Sequence, residues 1–178
     1  MLVGVTSTDI FLSEHGNDKS DCRSAHTACR SLRRAMQVAD GGLAVVYVNA
    51  ASRNNSSWLC REETVQVRGL ITIKPRSSVT RKTRLGCGVR QLLSFNITST
   101  GGKSQASLTL ERLEVQGVAL LLGKGHFAVV ESTLLDVSLF SNDFYAGHVG
   151  LDVINSTWTS RYQRNLTTNE VGVSADVE

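Results

Sequence analysis

Beyond residue 42 the chain is a succession of very short segments in which apolar and polar residues alternate with period two. Val65 with Val67, Ile71 with Ile73, Leu93 with Phe95 and Ile97, and Leu108 with Leu110 follow this rule. So do Phe127 with Val129, Leu151 with Val153, and Val171 with Val173. Such alternation means strands with one buried face. Gly, Ser, Thr and Asn clusters separate the segments, yet no Asn-Gly or Asp-Gly turn joins a pair of them. Hairpins are therefore a poor account of the connections. A β-sandwich tolerates the same alternation and stands as the competing architecture.

An internal repeat accounts for the pattern better. Val130-Glu-Ser-Thr-Leu134 superimposes on Ile154-Asn-Ser-Thr-Trp158, and Leu110 maps onto Val130. In this alignment Glu131 matches Asn155, and Arg112 matches Ser132 and Ser156. A unit of about 20–24 residues, strand then turn then strand, suits one rung of a parallel β-helix, whose rungs bury an inner face only by stacking. A leucine-rich repeat needs a different frame, which the sequence lacks.

The beginning of the chain differs. Asp9–Leu12 reads as a strand, and Ser13–Cys29 as a polar loop turning at Gly16-Asn17-Asp18. Residues 30–39 read as a helix, with Leu32, Ala35, Met36 and Ala39 on one face and Arg30, Arg33, Arg34 and Gln37 on the other. Asp40-Gly41-Gly42 ends it. Leu43–Val48 is a continuous apolar run of the kind a buried strand carries. The expected division is residues 1–42 as strand, loop and capping helix, and 43–178 as stacked rungs in a single domain.

The cysteines and sequons speak to compartment. Cys22, Cys29, Cys60 and Cys87 allow three connectivities. A small Cys22–Cys29 loop and a larger Cys60–Cys87 loop are expected; four free buried thiols are the alternative. No pair has the spacing of a zinc ribbon or a dithiol redox site. Glycosylation tripeptides occur at Asn54, Asn55, Asn96, Asn155 and Asn165, the first two overlapping. With an even cysteine count they point to a secreted or cell-surface glycoprotein. Met1–Thr6 has neither the basic nor the long apolar region of a secretory signal, so a mature chain or an ectodomain of something larger is expected. No run approaches the roughly 20 apolar residues of a membrane helix.

The block Phe11-Leu-Ser-x-x-Gly16-Asn-Asp18…Cys22…Cys29-Arg-Ser-Leu32-x-x-Ala35 resembles the opening segment of extracellular members of the pectate-lyase-like right-handed β-helix superfamily. Ile71-Thr-Ile-Lys74 and Ser107–Gly117 resemble its leucine-rich rungs, and Glu131-Ser-Thr-Leu and Asn155-Ser-Thr-Trp the turn after a rung strand. The resemblance covers residues 9–160. It implies an all-β, right-handed parallel β-helix whose first rung is covered by the amphipathic helix. Enzymes of this superfamily use acids, often with Arg or Lys, on the outer face of a strand.

This chain shows little of that chemistry in its sequence. Asp136 and Asp152 fall out of register, and Glu131 faces Asn155, so no ladder of carboxylates forms. His15, His26, His126 and His148 lack metal-ligand spacing. Gly117–Gly125 fails as a phosphate loop, and no Gly-x-Ser-x-Gly elbow exists. The expectation is therefore no catalytic residue, no metal and no cofactor.

Charge is more informative in its distribution than in its total of +3. Residues 61–90 carry eight Lys and Arg against Glu62 and Glu63, whereas residues 114–178 carry three against eight acids. Pro75–Gly88 reads as a protruding basic loop with Arg76, Arg81, Lys82 and Arg84 as its contact residues. Leu139–Tyr145 reads as an aromatic loop in which Phe140, Phe144 and Tyr145 offer a contact surface or, equally, Phe140 and Phe144 fold back to seal the bore. The sequence thus describes a non-catalytic recognition, adhesion or receptor-ectodomain module at the cell surface. Its partner is expected to be a protein or an anionic glycan, not nucleic acid, with any membrane link lying in a parent protein. A polysaccharide lyase or glycoside hydrolase on the same fold is the alternative.

Overall fold

The computed structural model describes residues 7–49, 63–76, 83–86, 93–98, 106–123, 125–141 and 149–159. Their alternating sequences form strands in which inward positions are apolar and outward positions polar or mixed. Three sheets result, and every strand pairing is parallel. Sheet I has six strands. They are β1 (Thr8–Ser13), β2 (Leu43–Asn49), β4 (Leu70–Pro75), β7 (Ala106–Glu111), β10 (Gly125–Val130) and β13 (Val149–Ile154), in that spatial order. Sheet II places β5 (Thr83–Gly86), β8 (Leu113–Gln116), β11 (Thr133–Leu135) and β14 (Thr157–Thr159) side by side. Sheet III does the same with β3 (Glu63–Val67), β6 (Leu93–Ile97), β9 (Val118–Leu122) and β12 (Ser138–Ser141). From β4 onward the chain visits sheets I, II and III in turn, so each strand pairs with the one three later.

In-register stacking gives columns of like residues. Ile10, Val46, Ile73, Leu110 and Val129 form one column beneath sheet I, all fully buried. Val65, Phe95 and Leu120 form another beneath sheet III, and Leu85, Val115 and Leu134 a third beneath sheet II. Each such side chain contributes roughly 1.5–3 kcal/mol by leaving water.

The register corrects two alignments. Leu110 lies opposite Val129 rather than Val130, a spacing of 19, and Arg112 stands at the level of Glu131 and Asn155 rather than of the serines. Residues 106–122 repeat at 19 into the next turn of chain, whereas Gly125 lies opposite Val149, a spacing of 24. The difference arises between β12 and β13.

The corners explain the level of these residues. Arg112, Glu131 and Asn155, with φ of 56°, 50° and 46°, each take the left-handed conformation between sheets I and II. Gly117 and Asp136 do so between sheets II and III, with φ of 64° and 52°. One left-handed residue re-aims the chain from one sheet to the next. Serine hydroxyls then bind the corner levels together. Ser156 Oγ accepts from Ser132 N–H at 3.0 Å and donates to the Ile154 carbonyl at 2.8 Å. Ser132 Oγ accepts from Leu113 N–H at 3.0 Å and donates to the Val130 carbonyl at 2.8 Å.

The beginning of the molecule is closed. Helix α1 (Leu32–Ala39) buries Leu32, Ala35, Met36 and Ala39 against β1, β2 and β3, the first and third being terminal strands of sheets I and III. It starts at Leu32 rather than at residue 30 because Ser31 is its N-cap, accepting from Arg34 N–H at 3.2 Å. The Arg30 and Ser31 N–H groups donate instead to Asp18 Oδ1, both at 2.8 Å. Asp40, left-handed, ends it. Cys22 and Cys29 form the expected disulfide, with Cα atoms 5.0 Å apart. Its loop lies along the outer edge of β1: Phe11 N–H donates to the Cys22 carbonyl, and Ser13 N–H to the Cys29 carbonyl. Within it the Thr27 hydroxyl and then the Arg23 N–H hold the Asp21 carboxyl below the usual carboxylate range.

Three further expectations change. Leu43–Val48 is buried on one face only: Ala44, Val46 and Val48 point inward, while Leu43, Val45 and Tyr47 point out. The supposed basic loop contains strand, since Pro75 ends β4 and Thr83–Gly86 forms β5 with Thr83 and Leu85 buried. The supposed aromatic loop begins as strand β12, where Phe140 lies opposite Leu121. Cys60, Cys87, Arg81, Lys82, Phe144, Tyr145, Val171 and Val173 lie outside the described residues, as do Asn54, Asn55 and Asn165.

Ser132→Ala leaves the buried Leu113 N–H without its acceptor and lowers unfolding free energy by about 1–3 kcal/mol in a urea titration. Glu131→Gly is neutral or stabilising in the same titration, because glycine tolerates positive φ, whereas Glu131→Val destabilises.

Candidate binding face

The outward positions of sheet I form the candidate site. Alternation puts every second side chain of its strands on this face, and the register sorts them into rows. One row reads Phe11, Tyr47, Lys74, Glu111, Val130 and Ile154; the β4–β7 pairing that aligns Ile73 with Leu110 brings Lys74 level with Glu111. A second reads Asp9, Val45, Thr72, Thr109, Ala128 and Asp152. A third reads Leu43, Leu70, Ser107, His126 and Gly150. Each strand is about 4.8 Å from the next, so neighbours in a row touch.

The first row is a chain of contacts. The Phe11 and Tyr47 rings stack with centroids 5.4 Å apart and planes inclined by 24°. Lys74 Nζ sits 5.8 Å from the Tyr47 centroid and 3.8 Å from Glu111 Oε2. Glu111 Oε1 also receives Arg112 Nε at 3.1 Å. At the other end the Arg76 guanidinium stands 5.6 Å from the Phe11 centroid. Stacking, cation–π attraction and ion pairing thus link six residues through five contacts, each term worth about 1 kcal/mol or less at such exposure.

A separate couple occupies the far end of the face. His126 Nε2 lies 3.0 Å from Asp152 Oδ2, across the β10–β13 pairing. Gly150 makes room for the imidazole: a Cβ there would clash with His126 Cδ2. The couple joins an acid–base group to a carboxylate in solvent reach, with Thr109 one strand from Ala128 in the same row as Asp152.

The residues expected from sequence scatter around this face. Arg76 belongs to it. Arg84 does not: it lies on sheet II with its Nε 2.9 Å from Glu114 Oε1. Asn155 is exposed at the corner beside Ile154, and Asn96 stands outward on sheet III, where its Oδ1 accepts from the Thr98 hydroxyl at 2.8 Å. Asp136 stands at a corner between sheets II and III, whereas Asp152 belongs to β13 of sheet I. Among the described residues no three His, Cys, Asp or Glu side chains gather as metal ligands. No helix among them is long and apolar enough to cross a membrane.

Sequence reasoning missed Phe11, Tyr47, Lys74, Glu111 and the His126–Asp152 couple. The available signal was the apolar run Leu43–Val48, whose alternate members had to face outward on a one-sided strand. Searches of protein-family profiles, curated proteins and solved structures find no match to this chain.

Gly150→Val forces the imidazole off its present position and separates His126 from Asp152. The His126 side-chain resonances shift in a two-dimensional nitrogen–proton spectrum while the far-ultraviolet circular dichroism stays that of the parent chain.

Proposed function

We propose that this chain is an extracellular recognition or adhesion module, built as a right-handed parallel β-helix akin to the pectate-lyase-like superfamily, that holds a partner without transforming it. The recurring passage through sheets I, II and III supports the architecture. The Cys22–Cys29 disulfide and the outward Asn96 and Asn155 support a secretory route and N-glycosylation. The observation that carries the function is the first row of sheet I. Its charged groups are spent on one another, Glu111 on Lys74 and Arg112, and its rings stack with each other and with cations. That is a rigid recognition surface rather than a set of groups aimed at a reacting bond.

The His126–Asp152 couple favours a second reading, a carbohydrate-active enzyme on the same scaffold.

The chain expressed through a secretory host loses mass on treatment with an N-glycosidase, and Asn96→Gln and Asn155→Gln each remove one step of that loss. Incubated with a panel of neutral and acidic polysaccharides, it releases neither reducing ends nor unsaturated products. Release that disappears in Asp152→Asn establishes the enzyme instead.

A further inference from the structure

The solvent face of β2 is apolar from Leu43 to Tyr47, and Asn49 is its polar end. Leu43, Val45 and Tyr47 all point outward, although a one-sided strand places polar residues there. The neighbours extend the patch. Leu70, 45% exposed, lies beside Leu43 on β4, and Phe11 stacks on Tyr47 from β1. Five apolar side chains from three adjacent strands therefore share one quadrant of sheet I. Cations stand at both ends of it. Arg68 is exposed at the corner that leads into β4, and Lys74 and Arg76 stand at the aromatic end. Asp9 is the acid within the quadrant, and Glu111 borders it through Lys74.

From this quadrant we infer the class of partner: an acidic polypeptide segment carrying large apolar side chains. The inference rests on the proposed recognition role of the same face. Leu43, Val45 and Leu70 offer a sugar no hydrogen bond, and the two aromatic rings already stack with each other and with cations. Apolar side chains of a protein fill such a surface by excluding water. Carboxylates on the same segment meet the exposed Arg68 and Arg76 at the two ends of the quadrant.

A random-peptide display library selected on the intact glycosylated chain tests this, with heparin and phosphatidylserine vesicles as competing probes. Recovered peptides are enriched in Asp or Glu together with Leu, Phe, Tyr or Trp. Their affinity falls by roughly tenfold or more in the Val45→Thr/Leu70→Ser variant and in Arg76→Glu. Both variants change outward side chains, and parent-like circular dichroism keeps a loss of binding attributable to the surface. Affinity also falls in salt of about 0.5 M. Peptides without acidic enrichment, or equal binding by the variants, overturn the inference. So does binding of heparin or vesicles without any peptide, and so does self-association of the chain that Leu70→Ser abolishes. Binding lost in Asp152→Asn but kept in Val45→Thr/Leu70→Ser moves the partner elsewhere on sheet I: the acidic-peptide inference fails and the recognition role stands. If every probe binds all these variants like the parent, both fail.

Discussion

The structure depends on backbone pairing between strands that lie far apart in sequence and run the same way. A parallel strand leaves N–H and C=O groups on both edges, and each must find a partner. Here the partner is the equivalent strand of the next passage through the three sheets. That requirement fixes the level of every residue. It places Ile73 on Leu110 and Phe95 on Leu120, and so turns local alternation into continuous buried columns. It also brings outward residues into rows, which is how Tyr47 comes to stack on Phe11 and Lys74 to lie over Tyr47. Core and candidate site are two sides of one register.

How far the sequence reveals this varies along the chain. Between Ala106 and Leu122 and their partners, corners are one or two residues long and the repeat is visible. Before that, β4 and β7 are level only across a spacing of 37, from Leu70 to Ser107, because long connections separate the strands. A strand at such a spacing still shows its alternation, as Ile71 and Ile73 do, but not its neighbour. The same limit hid the candidate face. Phe11 and Tyr47 meet through a pairing that no repeat in the sequence advertises. The Cys22–Cys29 loop and the buried face of the helix were legible because both are local.

The misread segments share a cause. Basic composition around Arg76–Arg84 suggested a loop, yet Thr83 and Leu85 are buried in strand β5, and Arg84 spends its charge on Glu114. A two-residue alternation is too short to outweigh the six polar residues among positions 76–82 that precede it. At the corners the error was one of level. A single left-handed residue, Arg112, Glu131 or Asn155, shifts the count by one, and those side chains share no chemistry to announce it.

The disulfide loop has a meaning beyond its own stability. An uncovered first strand of a parallel sheet is a template, ready to accept any extended chain, including another copy of itself. By taking the outward N–H groups of Phe11 and Ser13, the Cys22 and Cys29 carbonyls remove that template from solution. The two cysteines thereby act as a stop mark for sheet growth.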